Sequence, residues 1–181
     1  MYKDIICKME QLGIEFAIGL KDEEISIIEQ EYEIVFPKEL KNFYKEALPI
    51  SDGFYNWRSR NEESVKSIKR AIQIPVQGIV EGSEDIDWNE MWGEEPINSS
   101  ERKKSIANMV FKAPKLIPIY SHRYVASFEC EKPPIFSVYG TDIIYYAKNI
   151  IDYFLIEFKV KEYEVFKNNE VSYIPFWSDL I

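Results

Sequence analysis

Few residues in this 181-residue chain are of the types that carry out covalent or metal chemistry. There is one histidine, His122, and there are two cysteines, Cys7 and Cys130. Nucleophilic catalysis of the Ser-His-Asp kind needs a nucleophile, a base and an orienting group. No Gly-x-Ser-x-Gly turn offers the nucleophile here. A structural zinc site takes four Cys or His ligands, more than these three residues can give. The seven glycines are scattered singly and build no phosphate-cradling loop. With 31 acidic residues, a carboxylate pair at any given spacing arises by chance, so no acid–base assignment follows from pairs alone. No catalytic set, no metal and no cofactor is therefore expected. His122-Arg123 falls at a strand end or turn, where a structural hydrogen bond suits His122 better than general-base work. An enzyme or small-ligand reading would need a pocket lined by Tyr120, His122 and Tyr145.

One segment does have a chemical pattern. Asp85-Ile86-Asp87-Trp88-Asn89 places side-chain oxygens at alternate positions, as the opening of a calcium loop does. With Asp85 as position 1, however, the required glycine is Glu90 and the bidentate glutamate is Pro96, which speaks against a calcium hand. What remains is charge: Glu81, Glu84, Asp85, Asp87, Glu90, Glu94 and Glu95 are seven acids in fifteen residues, with no Lys or Arg among them. Trp88, Met91 and Trp92 are interleaved. Aromatics with an acidic rim are what a hot spot for a basic protein uses. The alternative is a solvated loop whose tryptophans turn back into the core. A second stretch worth placing is Ser51-Asp52-Gly53 with Phe54-Tyr55-Asn56-Trp57. Asp52-Gly53 has turn chemistry, and Asp52 to Trp57 is the next candidate surface. The partner-binding candidates are thus Asp85, Asp87, Trp88, Glu90 and Trp92, followed by Asp52 and Trp57.

These residues need a scaffold, and the composition supplies one. Hydrophobic residues make up 46% and aromatics 15% of the chain, enough for a real core and too many for intrinsic disorder. The length fits one domain spanning 1–181. The longest uncharged run, Ala71 to Val80, has ten residues and is too short to span a bilayer. The first residues lack the apolar stretch of a signal peptide, and the two cysteines form no disulfide framework, so a cytoplasmic location is expected. The net charge of −9 argues against nucleic acid, which needs a basic stripe, and fits a basic protein partner.

Periodicity predicts a first helix over Asp4 to Leu12, with Ile5, Met9 and Leu12 inward and Gly13 as its stop. A second runs from Asp22 to Tyr32, its first turn acidic and Ile25, Ile28 and Tyr32 inward. A third starts at Pro37, near N1, and carries Leu40, Phe43, Tyr44 and Ala47, with Pro49 at its end. Asn61 caps a helix from Glu62 to about Ala71. Ile74 to Val80, with Pro75, reads as an edge strand. Ser99 or Ser100 caps a helix from Glu101 to Lys112. Four short β-branched and aromatic runs follow: Leu116 to Tyr120, Tyr124 to Phe128, Pro134 to Tyr139 and Ile143 to Tyr146. Asn149 caps a late helix with Ile150, Tyr153, Phe154 and Phe158 on one face. The tail segments Tyr163 to Phe166 and Tyr173 to Trp177 are strand or docked coil. Helices first and strands clustered later predict an α+β fold with an antiparallel central sheet flanked by helices.

Two stretches also carry a resemblance. Gly19-Leu20-Lys21-Asp22-Glu23-Glu24-Ile25, and then Glu31-Tyr32-Glu33-Ile34-Val35-Phe36-Pro37-Lys38-Glu39-Leu40-Lys41-Asn42-Phe43-Tyr44, are similar to the opening signature of the SUKH superfamily. That superfamily includes fungal regulators of cell-wall assembly and many bacterial immunity proteins. The runs Leu116 to Tyr124 and Pro134 to Tyr146 resemble strands of its bacterial members, so the resemblance covers a core of about 19–158. It implies a sheet flanked by helices, used as a binding scaffold without catalytic residues. It further implies an immunity role, in which the protein neutralises a cognate toxin domain, often a nuclease, by direct binding. A regulatory interaction scaffold without a toxin partner is the alternative. The N-terminal helix and the tail beyond Phe158 are not required by the family pattern. Toxin-contact residues vary among relatives, so none is transferred to this chain.

Overall fold

The helical signals read from the sequence become helices where apolar residues recur every three to four positions. In the computed structural model, which describes residues 2–163 and 166–181 (residue 169 by its backbone alone), the first is α1, Tyr2–Gln11. It buries Ile5 and Met9 but leaves Leu12 more than half exposed, beyond its last turn. Gly13 takes φ 88°, the left-handed stop expected of it. Helix α2, Asp22–Tyr32, buries Ile25, Ile28 and Tyr32. Helix α3, Lys38–Glu46, buries Leu40, Phe43 and Tyr44, with Pro37 at its N-cap rather than inside its first turn. Two three-residue strands not expected from the sequence, β1 (Phe16–Ile18) and β2 (Ala47–Pro49), pair antiparallel. Pro49 thus closes a strand and not the preceding helix. Gly19 beside them admits no side chain, because a Cβ there would lie 1.9 Å from the Lys45 carbonyl oxygen.

The largest departure from the sequence reading is α4, Glu62–Glu81, a single helix of 20 residues capped by Asn61. Ile74 to Val80 is its C-terminal half and not an edge strand. Pro75 sits inside it, and a proline there removes the hydrogen bond to the carbonyl four residues back. That carbonyl belongs to Ala71, and the Tyr124 hydroxyl donates to it at 3.2 Å. A side chain from the sheet therefore replaces the missing backbone donor, and the helix runs through. Helix α5, Ser99–Lys112, is capped by Asn98, whose Oδ1 accepts from Ser100 and Glu101, rather than by a serine.

The main sheet is built from the four expected runs as β3 (Leu116–Tyr120), β4 (Arg123–Ala126, ending two residues before the expected Phe128), β5 (Ile135–Tyr139) and β6 (Asp142–Ala147), all antiparallel and in the order β3-β4-β5-β6. Alternation along the strands gives it two apolar faces. Ile117, Val125, Ile135 and Ala147 join a core with α1, α2, α3 and α6 (Ile150–Glu157). Leu116, Tyr124, Phe136, Val138 and Tyr145 join a second core with Ile79 of α4, Ile106 and Val110 of α5, and Ile174, Phe176 and Trp177 of the tail. Ile25, Ile28, Leu40, Phe43, Phe136 and Phe154 are all buried, as the pattern required. The fold is α+β, with the sheet between two layers. Tyr173 to Trp177 is docked coil leading into a 3-10 turn, Trp177–Leu180. Of Tyr163 to Phe166, residues 164 and 165 lie outside the described residues. Among the described residues no helix is long and apolar enough to cross a membrane.

Candidate protein-binding surface

The two stretches nominated by the sequence meet opposite fates. In the first, Gly53 takes φ 90° in the turn after β2, and a Cβ on it would lie 2.4 Å from the Tyr120 ring. Its carbonyl accepts from Ser121 N at 2.8 Å, and Phe54 bridges to Tyr120, so the turn closes the β3 edge of the sheet. Asp52 remains exposed at the turn. Trp57 does not: its exposure is 0% and its indole Nε1 donates to the Tyr44 hydroxyl at 3.2 Å. Tyr32 and Phe36 meet the Trp57 ring edge-on at 5.5 and 5.1 Å between centroids. The assignment of Trp57 to a partner surface is thereby corrected: it is a core residue with its one polar atom satisfied. Burial pushes the Tyr44 phenol far up, so it is neutral and free to accept that bond.

Arg58, next in sequence, fixes this region to α2. It forms a fork on Glu24, at 2.7 Å from Nε and 3.2 Å from Nη2, and donates to the carbonyls of Ile18 and Gly19. The Glu24 carboxylate also accepts from Lys21 N at 2.9 Å. The Arg58 hydrogen bonds, and then the Lys21 amide, hold its pKa down to about 2.

The acidic stretch, by contrast, is a built surface loop joining α4 to α5. Glu84, Asp85, Asp87, Glu90 and Glu94 are exposed, and Ile86 turns inward. Trp88 and Trp92 are half-buried and pack edge-to-face at 5.4 Å, and Trp92 stacks on Phe176 of the tail at 5.6 Å. Both indoles spend their N–H groups internally. Trp88 donates to the Gly93 carbonyl at 2.8 Å, and Trp92 donates to Asp179 at 3.0 Å. Asp179 also accepts from the Tyr173 hydroxyl at 2.7 Å, and this bond, with burial, pushes the Tyr173 phenol up to about 12. The tryptophans therefore support the loop as much as they face outward.

What projects from the loop is a different pair of apolar residues. Met91 is 87% and Ile97 104% exposed. Met91 was noted in the sequence only as a neighbour of the tryptophans. Ile97 lay outside the acidic window and had no signal pointing to it. The structure also brings in a cation that the local sequence lacks: Arg102 of α5 ion-pairs with Glu95 at 2.7 Å and lies 5.7 Å from the Trp88 ring centroid. Asp85, Asp87 and Asp179 share the lining of a cleft of about 230 Å³ with Thr141. Among the described residues no group of three or more His, Cys, Asp or Glu is arranged to hold a metal ion.

The residues of the small-ligand reading are not brought together. Tyr120 packs on Phe54 and Phe158 in the first core, whereas Tyr145 packs on Phe136 in the second and donates to Ser178. His122 is exposed, 3.2 Å from the Ser121 hydroxyl, and partial desolvation of its ring, then the Arg123 charge, lowers its pKa. A groove of about 720 Å³ lies elsewhere, between Val35 to Lys41 and Phe128 to Glu131. No family model matches this chain, and no curated protein and no solved structure matches it.

Proposed function

We propose that this protein is a non-catalytic binding domain that neutralises a basic toxin domain, such as a nuclease, in the bacterial cytoplasm. The observation that carries the reading is the loop 82–98, an acidic surface with Met91 and Ile97 turned outward and its aromatic support already satisfied. An interface of this kind combines charge for steering with a small apolar centre for retention. Asp85, Asp87 and Glu90 supply the field, and Met91 and Ile97 supply the apolar contact. The cleft beside Asp85 and Asp87 is of a size to receive one lysine or arginine side chain. The resemblance of residues 19–44 to the SUKH signature supports the immunity role, and the absence of a nucleophile–base set in the sequence fits a binder.

Co-expression with each neighbouring reading frame, followed by affinity capture, tests this. The expected result is that one neighbour with a basic domain is toxic alone, is tolerated with this protein, and co-purifies with it. Tolerance that persists when loop 84–97 is replaced by a neutral loop of equal length would contradict the assigned surface. Failure of every neighbour to be captured would contradict the role.

A further inference from the structure

The acidic loop crowds like charges, which in isolation would drive it open. The counterweight comes from outside it. The Arg102 side chain is only 14% exposed and its three nitrogen positions are all engaged. Nη1 donates to the Ser83 carbonyl and Nη2 to the Ile86 carbonyl, and Nε donates to Glu95 at 2.7 Å. One planar group thus ties the start of the loop to its end, while its face lies against Trp88. A lysine has a point charge in place of this fork and cannot reach three separated acceptors in one plane.

We propose that Arg102 is the positioning residue of the acidic surface, holding residues 83–95 outward against their own repulsion. This rests on the preceding reading that the loop meets the partner, and adds that the loop is ordered before the encounter. A pre-ordered loop spares the complex an ordering cost on binding. Without Arg102 the Ser83 and Ile86 carbonyls and Glu95 lose their donor, and the loop is left pinned by Ile86 in the second core, the Trp92 stack on Phe176 and the bonds to Asp179.

Hydrogen exchange on the free protein tests this with Arg102→Met, which keeps the apolar stem and removes both charge and fork, and Arg102→Lys, which keeps charge and removes the fork. At about 20 mM salt the amides of residues 84–95 in Arg102→Met should exchange tenfold or more faster than in the parent, roughly, while β3 to β6 amides are unchanged. At about 500 mM salt the difference should shrink to about that of Arg102→Lys, because screening relieves the repulsion but does not restore the lost hydrogen bonds. A packing role alone would show no such salt dependence. Arg102→Lys should be intermediate and nearly salt-independent, and it carries the test if Arg102→Met does not fold. Unchanged loop exchange in both variants, or acceleration spread evenly over the domain, would overturn the proposal. Because no partner is present, these outcomes stand apart from the function. A captured toxin domain that binds at the parent's rate to a variant with a loosened loop would count against the binding surface, not against the role of Arg102.

Discussion

Trp57 and Trp92 both follow short turns rich in polar residues, and from the sequence both were candidates for a partner surface. One ended in the deepest part of the molecule and the other on its rim. The difference lies in what each chain segment is tied to. The Trp57 segment is held on both sides, by Gly53 against the β3 edge and by Arg58 across α2, and its ring fills the space between Tyr32, Phe36 and Tyr44. The Trp92 segment is held from beneath only, by Arg102, Asp179 and the stack on Phe176, so its outer side stays in water. Each region has an arginine clamp, but one clamp closes a core and the other displays a surface.

The contrast is broken most severely by truncating the two tryptophans. Trp57→Ala removes a fully buried ring and should cost about 3–5 kcal/mol, enough to abolish folding of a marginal domain. Trp92→Ala removes a half-buried ring that meets Trp88 and Phe176 and donates to Asp179, and should cost roughly 1–2 kcal/mol. Chemical denaturation measures both. Equal costs would remove the distinction between core and rim.

The clamp on Glu24 gives a pH test. Because its folded carboxyl titrates at about 2, below the unfolded value, its stabilisation is present above the unfolded pKa and lost as pH falls toward 2. After allowing for solvent screening of this part-exposed pair, roughly 1 kcal/mol should disappear between about pH 5 and pH 2 through this group. Glu24→Gln should flatten that part of the stability profile. An unchanged acid limb would show that the Arg58 fork contributes little in solution.

Much of this architecture is legible in the sequence. Helices α2 and α3 announce themselves by apolar spacing, and the four strands of the main sheet by β-branched runs between turn residues. The three-residue strands β1 and β2 fall below the length at which alternation can be seen. Pro75 misled for a specific reason. The donor that lets α4 continue past it is the Tyr124 hydroxyl, which comes from the sheet and leaves no trace near residue 75. Tyr124→Phe should accordingly cost about 1–3 kcal/mol by thermal melting, since the Ala71 carbonyl is left unpaired. The acidic loop was visible as composition, but its working parts were not. Arg102 arrives from the next helix, Asp179 from the tail, and Ile97 from beyond the charged window. Trp57 could not be placed from its neighbours in sequence because its burial is set by Tyr44, on the preceding helix.

The smallest stability effects are expected where binding effects should be large. Met91→Ser and Ile97→Ser remove exposed side chains and should change stability by no more than about 0.5 kcal/mol. Each should nevertheless speed dissociation of a captured partner, by roughly tenfold if it is a central contact. Stability losses comparable to that of Trp92→Ala would mean that these side chains pack on the protein rather than face a partner.

The most direct measurement is the association rate of the captured partner with a variant in which Asp85, Asp87 and Glu90 are all replaced by Lys. The substitutions change the local charge by about six units, on side chains that are exposed to solvent. At low ionic strength the variant should associate more slowly than the parent by tenfold or more, roughly, and the gap should close as salt is added. Association as fast as the parent's at both low and high salt would contradict the account, leaving loop 82–98 an ordinary solvated connection between α4 and α5.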